Sequence, residues 1–493
     1  MAVKDKKISL PGLWPALTRA ARIINDLAAK GKIITVWGHD DLDGIASTAI
    51  MLDALRKKTE ANYYIPPKNA VHYGLDIKVI DKLIADGTGL IVTVDGGISN
   101  YAEAEYCRAM GLPLVITDHH ELPSVMPPAL EVVNPKMQET GSPYANLCGA
   151  AVALYLAAAL EGTGSDDWLQ ASNKWLAWAS LATVSDRVPL LDDNRMVIKA
   201  GLKAIPEDPG LSRLAGILDF DLTRGLSPLI LQNSYIPLFA SSQSQGGRHP
   251  MVELLLGNID EITVRDLWAK QIDWRRRFGQ ALQNKLAVVN GREMKILTVV
   301  DPDIQPDMIG PLAGGLRDAL LLPAIVIGKK GGAYVGEARG HLPLDLVQML
   351  SWFKDHFIQY GGHKQAAGFT LKSGALEEFV SAVDGYSAEH RDLLLSSRPE
   401  AKYDRRFDDL SQLGKNIPEF LENSPYGSGN PWPVCLIGNV KLPAGAMPDQ
   451  SYWLDDLLPL QDQAFLSGVP ITAALDTTSN GHISLSIKAH QPT

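Results

Sequence analysis

The stretch Val36-Trp-Gly-His-Asp-Asp-Leu-Asp-Gly44 places one imidazole and three carboxylates within five consecutive positions, directly after an apolar run. Carboxylates that close repel one another, and a bound cation is the chemistry that relieves them. Asp41 and Asp43 are two apart, so a continuing strand would project both to one side together with His39. A solvated acidic turn is the plain alternative, because Asp and Gly dominate turns for local reasons. Two later stretches repeat the pattern: Gly89-Leu-Ile-Val-Thr-Val-Asp-Gly-Gly97 ends on Asp95 and two glycines, and Leu112-Pro-Leu-Val-Ile-Thr-Asp-His-His120 ends on Asp118, His119 and His120. A further acid, Asp186, follows the helical stretch Trp175 to Ala182 and could reach back over the strand ends.

The elements that must position these groups are strands alternating with helices. Ile33 to Trp37 is short, continuous and rich in β-branched residues, and the run from Ile45 has helical spacing. A parallel α/β sheet is the natural fold for such alternation, and its ligands bind at the carboxyl ends of the strands near a topological switch point. Three strands delivering His or Asp to that edge would converge. Asp260 to Asn290 reads as a long helix carrying Arg275, Arg276 and Arg277. A second, smaller α/β unit follows it, with strands expected at Ile296 to Val300 and Pro323 to Ile327. This unit holds Arg339 and the triplet Gly361-Gly362-His363. The glycine pair would bring backbone amides close to a phosphate, and the small residues after His363 would permit a tightly packed helix. Beyond residue 400 short runs with turn signals suggest a small β region, entered through Ser424-Pro-Tyr-Gly-Ser-Gly-Asn-Pro-Trp-Pro433, where Tyr426 and Trp432 are candidates for base stacking. Burial in a core is the plainer role for both aromatics.

At 493 residues the chain is too long for one ordinary domain, and the length suggests about three. Its 46% hydrophobic and 21% charged residues are those of a globular protein with sizeable cores. Three cysteines far apart argue against a disulfide framework and a thiolate zinc site, which fits a reducing cytoplasm. No signal peptide is evident, and the run from Cys148 to Leu160 is short of the about 20 residues a membrane span needs. A formal charge of −10 is mild evidence against a protein that coats nucleic acid, although a local basic groove can bind phosphates on an acidic chain.

Taken together, His39-x-Asp41-x-Asp43-Gly44, Asp95-Gly-Gly, Asp118-His119-His120 and Ser185-Asp186 resemble the DHH phosphoesterase superfamily in type and order. Gly361-Gly362-His363 with Ala366-Ala367-Gly368 is similar to its DHHA1-type accessory domain, and Pro425 to Pro431 resembles the entry to the oligonucleotide-binding-type β domain of the RecJ-like branch. The resemblance implies a catalytic domain over 1–258, a connector helix over 259–292, an accessory domain over 293–398 and an OB-like β domain over 399–493. Departures are His39 where many bacterial relatives carry Asp, Ser244 to Arg248 where only Gly247 and Arg248 keep the usual pattern, and Glu337 to Gly340, which keeps Arg339 and loses two hydroxyls.

What the resemblance implies is a two-metal phosphodiesterase, with manganese favoured and magnesium the second choice. His39, Asp41 and Asp95 would hold one ion, and Asp43, Asp95, His119 and Asp186 the other. His120 would touch the scissile phosphate, Asp118 would orient its neighbours, and Arg248, Arg339, Gly361, Gly362 and His363 would grip substrate phosphate. The expected activity is 5′-to-3′ degradation of single-stranded DNA to nucleoside 5′-monophosphates in repair or recombination, by a monomer for which a helicase or a single-strand-binding protein is a candidate partner. Competing expectations are a phosphodiesterase for short RNA, cyclic dinucleotides or nucleoside bisphosphates, an RNA exonuclease, and a replication scaffold that has lost catalysis.

Overall fold

The computed structural model describes residues 9, 14–68, 74–139, 141–162, 173–258, 260–289, 296–397, 404–442, 451–462 and 469–490. They divide into two compact units: residues 1–269 with 403–493, and residues 270–402.

The first unit is built on a five-stranded parallel sheet in the order β2-β1-β3-β4-β5. Its strands are β1 (Ile33–Trp37), β2 (Ala61–Tyr64), β3 (Thr88–Thr93), β4 (Leu114–Thr117) and β5 (Glu131–Val133). Helices α1 (Pro15–Ala29), α2 (Leu42–Leu55), α3 (Ile77–Ala85) and α4 (Tyr101–Ala109) alternate with them. The order reverses direction between β1 and β3, which is the switch point where doubly wound sheets open a crevice at their carboxyl edge.

Helix α5 (Gly149–Leu160) is apolar on every side, and such a helix has to be enclosed. It packs against α1, α2 and α6 (Asn173–Ser185), and nearly all of its residues are buried. α6 packs in turn on α7 (Asp192–Ala204). The short helix α8 (Pro250–Leu255) closes this region, and the long helix α9 (Glu261–Val289) leads out of it.

The second unit carries the sheet β6-β7-β8-β10-β9, made of β6 (Leu297–Val300), β7 (Ala324–Lys330), β8 (Ala333–Arg339), β9 (Phe357–His363) and β10 (Ala366–Leu371), with α10 (Ile309–Leu320) and α11 (Leu376–Glu389). Only β6 and β7 pair in parallel; the rest is antiparallel. The third sheet, in the order β11-β12-β14-β15-β13, belongs to the first unit. It uses β11 (Arg405–Asp409), β12 (Val434–Val440), β13 (Ser451–Trp453), β14 (Val469–Thr477) and β15 (Ile483–His490), with α12 (Ile417–Asn423). The expected C-terminal β region is therefore present. It is tied to the helices before it through Arg195, fully buried on α7, whose guanidinium donates to the carbonyls of Glu422 and Asn423 at 3.2 and 3.1 Å. Among the described residues no helix is long and apolar enough to cross a membrane.

Candidate metal centre

The first acids are placed by a helix start rather than by strand alternation. β1 stops at Trp37, and the chain turns through Gly38 into α2, whose N-cap is Asp41. The Asp41 carboxylate accepts from Gly44 N at 2.9 Å, satisfying one of the amides a helix start leaves open. This corrects the expectation of a continuing strand: His39, Asp41 and Asp43 share a side because the chain bends, not because it stays extended.

Asp43 sits in the first turn of α2, fully buried. Its two oxygens accept from Gly149 N and Ala150 N, each at 2.7 Å, at the start of α5. The all-apolar helix thus aims its N-terminal amides at the crevice, where a carboxylate is favoured. A side chain at Gly149 would stand 2.6 Å from the Asp95 Cβ, so only glycine lets α5 approach this closely. Asp95 follows β3 in the left-handed region, at φ 54°, an uncommon conformation for a residue with a side chain. The end of β4 is fastened to β3 by Thr117 Oγ1 donating to Thr93 O at 2.7 Å.

These ends bring the side chains together. His39 Nδ1 lies 3.0 Å from Asp41 Oδ2 and 3.9 Å from Asp95 Oδ2. His119 Nε2 lies 3.1 Å from Asp95 Oδ1 and 3.5 Å from Asp43 Oδ2, while its Nδ1 lies 3.8 Å from Asp186 Oδ2. Three overlapping groups among the described residues have the spacing of ligands for a cation: His39 with Asp41 and Asp95, Asp43 with His119 and Asp186, and Asp95 with His119 and His120. Asp95 touches all three. His39 Nδ1 and Asp95 Oδ1 are buried, and although Asp41 and His119 stand 3.0 and 3.1 Å away, neither contact is aligned as a hydrogen bond; buried polar atoms left in this way are rare unless a ligand satisfies them. The donor set, carboxylate oxygens with a minority of imidazole, suits a hard or borderline divalent ion. The residues present therefore fit a metal pair.

The electrostatics agree with that fit. Burial, then the neighbouring Asp43 and Asp41, push the Asp95 carboxyl well above the usual range. Burial also raises Asp43, and burial followed by Asp43 raises Asp186 to about 6. Asp41 goes the other way: burial would raise it, but the adjacent His39 and the Gly44 amide outweigh that and hold it at about 2.

Asp118 contributes from behind. Its Oδ1 accepts from the amides of His119 at 2.7 Å and His120 at 3.0 Å, and its Oδ2 from Ile98 N at 3.0 Å. The same Oδ1 is 2.7 Å from His120 Nδ1, and this contact raises the His120 pKa. An ionised carboxylate only accepts, so Nδ1 carries the proton and Nε2 remains free on a ring that is more than half exposed.

Comparison with known proteins follows the same lines. The DHH family, N-terminal domain, matches residues 33–182, and the DHHA1 domain matches residues 293–389. Over these two stretches the chain is similar to the DHH family. The single-stranded-DNA-specific exonuclease RecJ of Bacillus subtilis is 29% identical over 454 residues, covering 89% of this chain and 56% of its own, and that of Thermus thermophilus is 28% identical over 438 residues, covering 85% and 61%. The chain thus spans less than two thirds of these relatives' length. A crystal structure of exonuclease RecJ bound to manganese shares 27% identity at a TM-score of 0.57, over 76% of this chain and 94% of that one. The crystal structure of Thermus thermophilus RecJ in complex with Mn2+ shares the fold, with a TM-score of 0.67 at 24% identity over 99% of this chain and 72% of its own.

Among the expected phosphate contacts, Arg248 is exposed and lies over the Tyr63 ring, 4.7 Å from its centroid, beside the end of β2. Two residues that sequence reasoning passed over hold its loop. Asp40, the first acid of the first motif, turns away from the cluster: Oδ2 accepts from Ser244 N at 3.0 Å and Lys68 N at 3.1 Å, and Oδ1 lies 3.1 Å from Nε2 of the buried His249. His249 also caps α8 through Nδ1, which accepts from Met251 N at 3.1 Å. The only sequence signal was the His-Pro pair after Arg248, a helix start.

In the accessory sheet, Ala366 pairs with Arg339 on one side and His363 on the other, so the three form a row across β8, β10 and β9. Gly361, Gly362 and His363 lie exposed on the edge strand β9. Residues 366–371 are strand β10 and not the expected helix, because the segment folds back as a hairpin partner for β9. Arg339 is paired with Glu337 at 2.6 Å. The two aromatics divide: Tyr426 is buried, its hydroxyl donating to Phe420 O at 2.7 Å, so it cannot stack on a base. Trp432 is half-buried, with Nε1 donating to Asp476 Oδ1 at 3.0 Å.

Proposed function

We propose that the chain is a metal-dependent phosphodiesterase that degrades single-stranded DNA from the 5′ end to nucleoside 5′-monophosphates, as the named relatives' specificity suggests, in the cytoplasm and in repair or recombination. The observation that carries this reading is the meeting of His39, Asp41, Asp43, Asp95, His119 and Asp186 at one sheet edge with orphaned donor atoms among them. Those six residues would hold two divalent ions, manganese first and magnesium second, which when bound activate water and offset charge at phosphorus.

The chain's own groups do the remaining work. Asp118 fixes the proton on His120 Nδ1 and keeps the ring turned outward, so that Nε2 meets the scissile phosphate or a leaving oxygen. Arg248, steadied over Tyr63, contributes a planar fork suited to phosphate. The row of Arg339 and His363, with the Gly361-Gly362 amides, supplies further phosphate contacts. Retention of every ligand-type residue argues against a scaffold without catalysis, and the C-terminal sheet argues for a strand over a dinucleotide.

Manganese-dependent digestion of 5′-labelled and 3′-labelled single-stranded DNA, beside very short RNA, tests this. Immediate release of labelled mononucleotide from the 5′-labelled strand is expected. Turnover confined to the shortest RNA would overturn it.

A further inference from the structure

A pocket of about 280 Å³ opens immediately after Asp186, and the metal centre does not use it. Leu190 and Pro228 give it an apolar floor, Arg187, Gln232 and Ser428 give it a polar mouth, and Trp432 closes one wall. All of these residues belong to one compact unit. Ligand pockets for larger molecules run to about 300–1,000 Å³, so this one suits a single base.

Its walls are held in place before any ligand arrives. The indole is oriented by its 3.0 Å bond to Asp476, which also accepts from Ser227 Oγ. The loop below it is pinned by Leu190 N donating to Ser428 O at 2.7 Å, and by Asn430 Nδ2 donating to Asn423 O and Pro425 O at 2.8 Å each. Gly429 sits where a Cβ would come 2.9 Å from Pro189, so the glycines of this loop serve close docking against the segment that follows Asp186.

Arg187 is the unusual member. It is exposed, makes no ion pair or side-chain hydrogen bond among the described residues, and adopts φ 57°, in the left-handed region. A strained backbone that presents an unpaired guanidinium beside an oriented indole has the makings of a recognition element. Arginine matches a phosphate in two-pronged fashion, and a fixed indole face stacks on any base.

We propose that this pocket is a nucleotide subsite, in which Trp432 stacks on one base and Arg187 holds that nucleotide's phosphate. The proposal rests on the phosphodiesterase reading for its strand, whereas a free nucleoside monophosphate presents the same chemistry. The strand leaving or entering the metal centre past Asp186 would be gripped here, which gives Arg187 a part in affinity and not in bond breaking.

The test is equilibrium binding to the full chain, with Ca2+ replacing Mn2+, of fluorescein-labelled oligothymidylate by anisotropy and of thymidine 5′-monophosphate by calorimetry. Arg187→Ala should weaken oligonucleotide binding about tenfold and lower the salt slope by about one. Nucleotide binding should fall with it, and Arg187→Lys should recover part of both. Trp432→Phe, which keeps a stacking face, should bind better than Trp432→Ala; where the alanine variant fails to fold, the phenylalanine variant alone must stay within a few-fold of the parent chain. Unchanged binding of both probes in Arg187→Ala overturns the proposal. So does a loss of Mn2+ affinity above tenfold in that variant, which would mean that Arg187 merely supports Asp186. Should the parent chain fail to digest single-stranded DNA, the exonuclease reading falls while the nucleotide titration still decides the pocket: Arg187-dependent binding supports it, and absence of binding overturns it.

Discussion

In the parallel sheet of the first unit, signature residues leave the ends of β1, β3 and β4 and arrive within 3 to 4 Å of one another. In the antiparallel part of the accessory sheet, Arg339 and His363 lie in one row but remain separated by the full width of β10. The difference is topological. Parallel strands all send their carboxyl ends to one edge, so ligands from distant stretches converge on a point, whereas antiparallel neighbours spread theirs along a face. A point can hold a small, highly charged ion; a face can track an extended polyanion.

Breaking the point should cost most. Asp95→Asn is expected to lower turnover by about 10³-fold or more, the equivalent of several kcal/mol of lost charge stabilisation. The same change should make the metal-free protein more stable at neutral pH. Burial and neighbouring acids raise the folded-state pKa of Asp95, so the ionised form opposes folding above its usual value, and removing that charge relieves the opposition. Thermal melts with and without Mn2+ read both effects: the parent chain should gain stability from the metal, and the variant should start higher and gain little. A variant that gains as much as the parent would remove Asp95 from the metal centre.

Two changes probe the convergence without touching a ligand. Gly149→Ala would force α5 away from Asp95 and shift the two amides that hold Asp43, and a loss of about 10- to 100-fold in activity or Mn2+ affinity is expected, as for other groups that orient metal ligands. Asp118→Asn should fall in the same range, because it keeps the shape but weakens the hold on His120 Nδ1. Isothermal titration with Mn2+ and steady-state digestion together check both. Affinity should also depend on acidity. Asp186, raised to about 6, must lose its proton to bind a cation, so Mn2+ binding should weaken as pH falls through 6 and should release protons. Asp186→Asn should remove that component from the profile.

How much of this was legible depended on range. The strand-then-acid pattern announced Asp95, Asp118 and the histidines, because a parallel sheet converts local order into a shared edge. Asp43 was expected at this edge and lies there, but the groups that hold Asp40 and Asp43 were not legible. Both are acids of one short motif, yet one is claimed by Ser244 and His249 and the other by the start of α5, partners more than a hundred residues away. Spacing cannot reveal which of two nearby acids a distant backbone amide will select. The glycine and alanine residues after His363 misled for a related reason: small residues permit helix packing and hairpin packing alike, and cross-strand pairing with Arg339 decided it.

The smallest expected effect sharpens the face instead of the point. Arg339 is paired with Glu337, two residues earlier on the same strand and therefore on the same side of the sheet. Partly exposed pairs of this kind are worth about 0.2–1 kcal/mol, so freeing the guanidinium costs little, and a phosphate arriving there competes with Glu337 for it. Glu337→Gln removes the competitor and one negative charge from the row. Oligonucleotide affinity should then improve by up to about fivefold, more at low salt than at high, with turnover at saturating strand unchanged. A fall in affinity would mean that Glu337 holds Arg339 in its working position, and the row would then be a preset site instead of an open face.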